Sequence, residues 1–282
     1  METKFSLIIA TFGRVDELES LLASLNSQTI SKDAFEVIIV DQNPGSVIHQ
    51  LVKNFSVKFT IRYFQSQRQG LSYNRNLGIT HAKGSYLAFP DDDCEYYPDT
   101  LASIDEALQN SGFPDMIIGK VYDRTLQKYV FKKTPDNQLE INAWNFYPMV
   151  SSITLIIKNN GVRFDENFGI GERYYSNEDG DMILQFLHRK LKVIYSPRIE
   201  FNHPPYSAST MSLDKVYRYG IGFGAMCRKH ISLPVLYLYC KVILFQILMS
   251  LKELMMLNPK SARRRFYALK GRLAGFFMYQ PV

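Results

Sequence analysis

The stretch SYNRNLGITHAKGSYLAFPDDDC, residues 72–94, carries the clearest structural signal in the chain. Its first part, residues 72–82, has a helical composition, and the apolar run at 85–89 is typical of a buried strand. Three adjacent carboxylates, Asp91 to Asp93, follow that strand directly. A helix that leads into a buried strand with polar groups at its end predicts one unit of an α/β sheet.

The residues before this stretch show the same alternation of strand and helix. Apolar runs at 5–11 and 36–43 are typical of parallel strands buried on both faces, and 59–64 predicts another strand. Helical spacing of leucines between Arg14 and Gln28 predicts a helix, and 98–109 predicts a second helix with proline in its first turn. We therefore predict an α/β fold with a mostly parallel, Rossmann-like central sheet and helices on both faces.

The pattern is looser after residue 115. Three segments there predict strands that are open to antiparallel pairing: 116–122, 128–133 and 151–158. A helix, another strand and a loop follow: 178–190, 191–197 and 203–213. From residue 215 onwards the chain predicts a helical extension.

Charge is distributed unevenly along the 282 residues, whose formal net charge is +6. Residues 215–282 contain twelve Lys or Arg and one acidic residue, Glu253, so a slightly acidic body carries a strongly basic extension.

The three cysteines form no close pair, which fits a reducing compartment. The apolar stretch near the N-terminus is too short for a signal peptide, so we expect no export.

Polar residues follow three of the predicted strands. Thr11, Phe12 and Arg14 follow the first strand, Asp41 ends the second, and Asp91 to Asp93 follow the fourth. Ligands of open parallel sheets bind outside the carboxyl ends of the strands. These residues therefore mark the expected binding edge.

The carboxylates Asp91 to Asp93 suit a hard divalent cation such as Mg²⁺ or Mn²⁺, which takes oxygen ligands and shares them with substrate phosphates. Alternate residues of an extended segment point the same way, so Asp91 and Asp93 can reach one ion while Asp92 faces elsewhere. The alternative is a solvated acidic loop that caps the next helix.

Asp41 has two interpretations. It can cap the turn formed by the following QNPG, or it can accept a hydrogen bond from the N–H edge of uracil or guanine. Arg75, at the start of a helix, can neutralise a diphosphate or be surface charge. The negative charges of Glu178 and Asp179 can stabilise the N-terminus of their helix through the helix dipole. Alternatively, one of the two can be a general base.

Four segments together resemble the inverting family-2 glycosyltransferases of the GT-A fold. They are SLIIATFGR, VIIVDQNP, QGLSYNRNLGITHAKGSYLAFPDDDC and SNEDGDMILQFLHRK, within residues 4–205. The resemblance implies a nucleotide-sugar donor, a divalent metal and inversion at the anomeric carbon. It also implies a catalytic domain over 1–214, with a nucleotide-sugar-binding half at 1–115 and an acceptor-binding half at 116–214, before the helical region 215–282.

The resemblance also assigns roles to the candidate residues. The donor would be bound by Thr11, Phe12, Arg14, Asp41, Arg75, Asp91 and Asp92. Asp93 would be the chief metal ligand, with Asp91 and His203 beside it. Asp179, of the Glu178–Asp179 pair, would be the base. Ala10 and Phe12 depart from the family's usual Pro and Tyr or Asn. Because both residues would act by shape, we expect a modest effect on base contacts.

Two other functions are compatible with parts of the sequence. A sugar nucleotidyltransferase would also need a nucleotide and a metal, but TFGRVDELESL lacks the Gly-rich basic loop expected there. A non-catalytic module that binds nucleotide-sugar at a membrane would bind the nucleotide without turnover. Processive synthesis is not indicated, because no QxxRW motif follows residue 205, and the acidic edge disfavours nucleic acid as a partner.

Residues 233–251 form an apolar stretch interrupted by Lys241, Gln246 and Ser250, and a basic cluster follows at 260–272. Three arrangements are open: a helix on the membrane surface, a spanning helix, or a packing surface that includes a homodimer. We expect the first, with the enzyme peripheral on the cytoplasmic face of the cell membrane. Such a position suits a glycan or a lipid-linked glycan as acceptor.

Overall fold

The computed structural model describes residues 3–204 and 211–281. The centre of the fold is a ten-stranded sheet. Its strands are β1 (Phe5–Thr11), β2 (Phe35–Asp41), β3 (Ile61–Gln65), β4 (Tyr86–Ala88), β5 (Glu95–Tyr96), β6 (Met116–Asp123), β7 (Lys128–Tyr129), β8 (Leu139–Glu140), β9 (Leu155–Lys158) and β10 (Val193–Asn202). They run in the order β3-β2-β1-β4-β9-β6-β10-β5, with β7 beside β6 and β8 beside β10.

The first four strands of this order are parallel to one another, because helices carry the chain back between them. Side chains of β1 alternate between two apolar clusters: Leu7 and Ile9 pack on one face of the sheet and Ile8 on the other. All three are fully buried. Burial on both faces explains why the strand reads as a continuous apolar run.

Eight helices of the described residues surround the sheet or follow it. They are α1 (Asp16–Asn26), α2 (Val47–Phe55), α3 (Leu71–His81), α4 (Thr100–Asn110), α5 (Glu178–His188), α6 (Leu213–Lys229), α7 (Leu233–Met255) and α8 (Pro259–Met278). The predicted fold is confirmed: an α/β sheet with mostly parallel strands, helices around it and a helical C-terminal region.

The second half of the sheet contains a reversed strand. β9 is antiparallel to both β4 and β6, whereas β10 is parallel to β6. The strand predicted over 128–133 was too long, since β7 holds only two residues and Phe131 beyond it is exposed. The loop predicted over 203–213 falls largely on 205–210, which lie outside the described residues.

Glycines let α6 and α8 lie side by side with their backbones in contact. A Cβ atom at Gly224 would meet the carbonyl oxygen of Arg272 at 2.1 Å, and one at Gly275 would meet that of Ile221 at 2.0 Å. Gly220 and Gly271 face each other in the same way. The two helices thus run in the same direction, and α7 connects them in the sequence.

Within the described residues, α7 alone is long and apolar enough to span a membrane, with a mean hydropathy of 1.7.

Candidate active site

The carboxyl ends of β1, β2 and β4 bring the predicted polar residues to one edge of the sheet. Thr11 and Asp41 are direct neighbours in the β1–β2 register. The turn after β4 carries the three adjacent aspartates: Asp91 pairs with Arg75, and Asp92 and Asp93 both pair with Arg14. The edge is therefore a network of ion pairs and hydrogen bonds.

Asp92 is the most buried of the three aspartates and faces β1. One carboxylate oxygen accepts a hydrogen bond from Thr11 Oγ1 at 2.9 Å, and the other accepts one from Arg14 at 2.9 Å. Burial raises the pKa of Asp92 to about 6, although Arg14 acts against this rise. Asp92 therefore fixes the turn against the first strand.

Asp93 lies between Arg14, with which it forms an ion pair, and His203. Its Oδ1 is 3.4 Å from His203 Nε2. Nδ1 of the same ring donates to the carbonyl oxygen of Pro204 at 2.8 Å, so a neutral His203 presents a lone pair at Nε2 towards the carboxylate. Two electron-rich atoms face each other there, and a positive charge between them, either a proton or a metal cation, stabilises both.

The pKa values of this pair agree with that geometry. Burial acts to raise the pKa of Asp93, but the hydrogen bond from His203 and the charge of Arg14 bring it below its ordinary value. Burial acts to lower the pKa of His203, yet Asp93 raises it overall. Each member of the pair thus stabilises the charged form of the other.

Arg75 is fully buried and connects the aspartate turn to the start of α5. Its guanidinium donates to Asp91 Oδ1 at 2.6 Å, to Glu178 Oε1 at 3.2 Å and to Ser152 Oγ at 3.1 Å. The guanidinium also lies 5.4 Å from the centre of the Phe164 ring. Its predicted contact with a diphosphate stays a prediction, since all these donor contacts are made to the protein.

Glu178 and Asp179 begin α5 side by side. Burial and the neighbouring charge of Asp179 raise the pKa of Glu178 to about 7, and burial likewise raises the pKa of Asp179. The backbone before them is strained, because Tyr175 and Asn177 have φ values of 62° and 67°. A carboxylate with a raised pKa binds a proton more readily, which suits a general base.

Asp41 is completely buried, and both of its carboxylate oxygens have protein partners. Oδ1 accepts hydrogen bonds from the backbone and side chain of Asn43 at 2.8 Å, and Oδ2 accepts one from Tyr63 at 2.7 Å. The structure thus places Asp41 in its turn-capping role, and its contact with a nucleobase stays a prediction. Phe12 is half exposed at the same edge.

The residues present fit a divalent cation shared with a substrate. The carboxylate oxygen of Asp93 is a donor that both Mn²⁺ and Mg²⁺ accept, whereas the imidazole nitrogen of His203 suits a transition metal such as Mn²⁺ better than Mg²⁺. Within residues 3–204 and 211–281, no group of three or more His, Cys, Asp or Glu side chains has metal-binding spacing, and Asp91 pairs with Arg75. A small donor set completed by substrate phosphates is the usual arrangement for Mg²⁺.

Sequence reasoning missed two polar residues of this site. Ser152 contacts Arg75, and Lys132 is close enough for its charge to lower the pKa of Asp179 against the effect of burial. Neither lies in a motif, so no local signal marked them. Lys132 and Phe131 also line a small groove of about 20 Å³ with Ser151, and the Phe131 ring lies 4.9 Å from that of His203.

The comparisons with known proteins identify the family. Residues 6–160 match the family described as Glycosyl transferase family 2. Because that match covers more than half of the chain, the protein belongs to this family of glycosyltransferase enzymes.

Curated relatives are glycosyltransferases as well. The chain is 28% identical over 60% of its length, and over 31% of the relative, to poly(ribitol-phosphate) beta-N-acetylglucosaminyltransferase TarS of Staphylococcus aureus. It is 28% identical over 62% of its length, and over 57% of the relative, to a GalNAc(5)-diNAcBac-PP-undecaprenol beta-1,3-glucosyltransferase of Campylobacter jejuni. The chain thus spans under a third of the first relative and over half of the second.

Solved structures show the same fold at low sequence identity. Residues 1–349 of S. aureus TarS superpose with a TM-score of 0.60 at 17% identity, over 96% of this chain and 91% of that one. Mannosyltransferase PcManGT from Pyrobaculum calidifontis, in complex with GDP-Man and Mn²⁺, superposes with a TM-score of 0.67 at 12% identity, over 98% of this chain and 88% of that one.

Proposed function

We propose that the protein transfers one sugar from a nucleoside-diphosphate sugar to a hydroxyl group of a glycan, with inversion at the anomeric carbon. The observation that carries this proposal is the Arg75 bridge, which joins the aspartate turn after β4 to the carboxylate pair of α5. The donor edge and a candidate base thereby share one cleft, as single displacement requires.

A UDP-sugar is the first donor to test, and a lipid-linked oligosaccharide the first acceptor. A structure of TarS contains UDP-GlcNAc, and the Campylobacter relative is named for an undecaprenol-linked substrate. These names support a role in assembling a surface polysaccharide, such as O-antigen, capsule or exopolysaccharide. The exposed Phe131 and the neighbouring Lys132, whose charge acts on Asp179, are candidates for contact with the acceptor.

In this mechanism Asp179 accepts the proton of the acceptor hydroxyl. The oxygen attacks the anomeric carbon from the face opposite the diphosphate, and the bond from that carbon to the diphosphate oxygen breaks, releasing the nucleoside diphosphate with the electron pair. Glu178, held by Arg75, lies beside Asp179, and burial raises the pKa of Asp179, so that this carboxylate accepts a proton more readily.

Asp93 and His203 are the residues that would hold a Mn²⁺ or Mg²⁺ ion, with Asp91 in the same turn. Such an ion offsets negative charge on a departing diphosphate. Arg14, which balances Asp92 and Asp93 in the structure, is half exposed and can turn towards the donor phosphates.

One experiment tests the donor without knowledge of the acceptor. The protein is incubated with Mn²⁺ and a panel of UDP-, GDP- and dTDP-sugars, and release of nucleoside diphosphate by slow hydrolysis is measured. We expect release from one donor class. Binding of a nucleoside diphosphate without any release, with and without glycan acceptors, would instead indicate a non-catalytic module.

The cation is tested by Asp93→Ala against the matched surface variant Asp33→Ala. We expect Asp93→Ala to lose donor hydrolysis and its response to Mn²⁺, while Asp33→Ala, whose side chain is exposed, behaves as wild type. Wild-type activity that persists in EDTA would contradict the metal role and leave the transferase proposal standing.

A further inference from the structure

Helix α7 is apolar on both of its sides. Its inner side, with Val235 and Tyr239 buried, packs against α6 and α8. Apart from Lys241 and Lys252, every exposed position of α7 carries an apolar side chain, a tyrosine or a cysteine. A continuous apolar surface of this length on a folded protein marks a contact with another apolar phase.

The surface continues into the corner between α7 and α8. Met255, Met256 and Leu257 have 85%, 66% and 89% of their surface exposed. Leu257 also has a φ of 52°, in the left-handed region that favours glycine or asparagine. A strained and exposed leucine contributes little to the fold itself, which points to a role outside it.

Positive charge surrounds this apolar surface. Lys260 and Arg263 are exposed on the first turns of α8, directly after the corner. The guanidinium of Arg265 lies 5.7 Å from the centre of the exposed Phe245 ring of α7, so the charge and the apolar face are neighbours in space. Glu253 is the only acidic residue from 215 to the end of the sequence.

Two aromatic residues extend the same surface near the start of α7. Trp144 has 63% of its surface exposed and lies 5.9 Å, between ring centres, from Tyr237, which is 58% exposed. Tryptophan and tyrosine side chains are favoured at the level of lipid headgroups, where one end is apolar and the other is hydrated.

We propose that α7 and the α7–α8 corner lie on the surface of an anionic lipid membrane, with Met255, Met256 and Leu257 inserted among the lipids. Apolar groups surrounded by basic ones match the acyl chains and the negative headgroups of such a surface. This proposal concerns a surface away from the catalytic cleft and holds whether or not the proposed transfer is correct.

Two other occupants fit the observations less well. A second copy bound through this surface would bring its own Lys260 and Arg263 towards the same positive region. A spanning α7 would either lose its packing on Phe223 and Phe276 or take α6 and the basic α8 into the bilayer with it. A helix lying in the plane of the membrane surface keeps all these contacts.

The experiment is flotation of the full chain with vesicles of phosphatidylcholine alone or with about 30% phosphatidylglycerol. We expect binding to the anionic vesicles that weakens as salt is added. Replacing Lys260 and Arg263 by Gln should weaken binding about 30-fold, because each basic residue near the surface contributes about five-fold. Replacing Met255, Met256 and Leu257 by Ser should weaken binding at least about ten-fold.

Matched controls are Lys53→Gln and Val57→Ser, which remove an exposed charge and an exposed apolar group at the far end of α2. Both should bind like wild type, and all variants should keep donor hydrolysis.

Three results would overturn the proposal. The first is a monomer that binds neither kind of vesicle. The second is a stable dimer in solution that the corner variants dissociate. The third is a membrane-bound protein that alkaline carbonate does not release, which would indicate spanning.

Discussion

The cleft and the C-terminal helices depart from ordinary soluble proteins in opposite ways. The cleft buries ionic groups, with Arg75 and Asp92 hidden from solvent. The outer side of α7 exposes apolar groups such as Leu244 and Leu248 to solvent. Buried charges and exposed hydrocarbon both raise the free energy of the isolated protein. The two proposals explain these departures in opposite ways: an ionic ligand would bind in the cleft, and an apolar phase would cover the helices.

The largest effect should come from removing the proposed base. We expect Asp179→Asn to reduce the rate of sugar transfer by about 10² to 10⁴-fold, because an amide cannot accept the hydroxyl proton. The rate is to be measured with the donor found in the panel, and Asp33→Asn serves as the exposed control. Nearly full activity in Asp179→Asn would remove this residue from the mechanism.

The buried ion pairs should dominate the stability of the cleft. Arg75→Met leaves Asp91 and Glu178 without their cation, which should cost about 3–5 kcal/mol in the free energy of unfolding, measured with urea. The exposed pair of Arg198 with Glu106 provides the control, and Arg198→Met should cost under about 1 kcal/mol. Equal costs would show that burial of the pair is irrelevant.

Stability should also depend on the proton of Glu178. Its pKa rises from an ordinary value of 4.5 in the unfolded chain to about 7 on folding, so the folded protein holds this proton more tightly. The resulting stabilisation is complete below about pH 4.5 and is lost as the pH rises through about 7, with a limiting slope of about 1.4 kcal/mol per pH unit. Glu178→Gln should flatten this part of the profile, whereas the exposed Glu17→Gln should not.

The smallest effect should come from the outer side of α7. Leu244→Gln should change the free energy of unfolding by no more than about 0.5 kcal/mol, because its side chain is exposed. The fully buried Leu101→Ala should cost about 2–5 kcal/mol. A large loss in Leu244→Gln would show that the outer side supports the fold itself.

Local patterns predicted most of the sheet and its helices. Strand β1 could be predicted because a strand that is buried on both faces has an unbroken run of apolar residues. Helix α2 was missed although its signal was present: Ile48, Leu51, Val52 and Phe55 have helical spacing and are buried. The glycine pairs of α6 and α8 were also readable but overlooked, four residues apart in each helix.

The candidate site depended on contacts that no local pattern reports. The positions of Arg75 and Glu178 differ by 103, and those of Asp93 and His203 by 110, so only the folded chain shows which charges meet. The polar residues at the predicted strand ends were enough to predict which edge of the sheet carries the candidate site. Which arginine pairs with each aspartate, and which aspartate also meets His203, depends on side-chain geometry in the turn.

The backbone contact at Gly222 constrains how this protein can vary. A Cβ atom there would lie 2.2 Å from Ser176 Oγ and 2.7 Å from the carbonyl oxygen of Tyr174, in the segment that leads to Glu178. Nearby, Asp181 of α5 holds both Lys229 and His230 at 2.7 Å. Helix α6 thus forms one wall of the candidate active centre. Shortened versions that end before α6 should lose the shape of that centre, and the two parts are expected to coevolve.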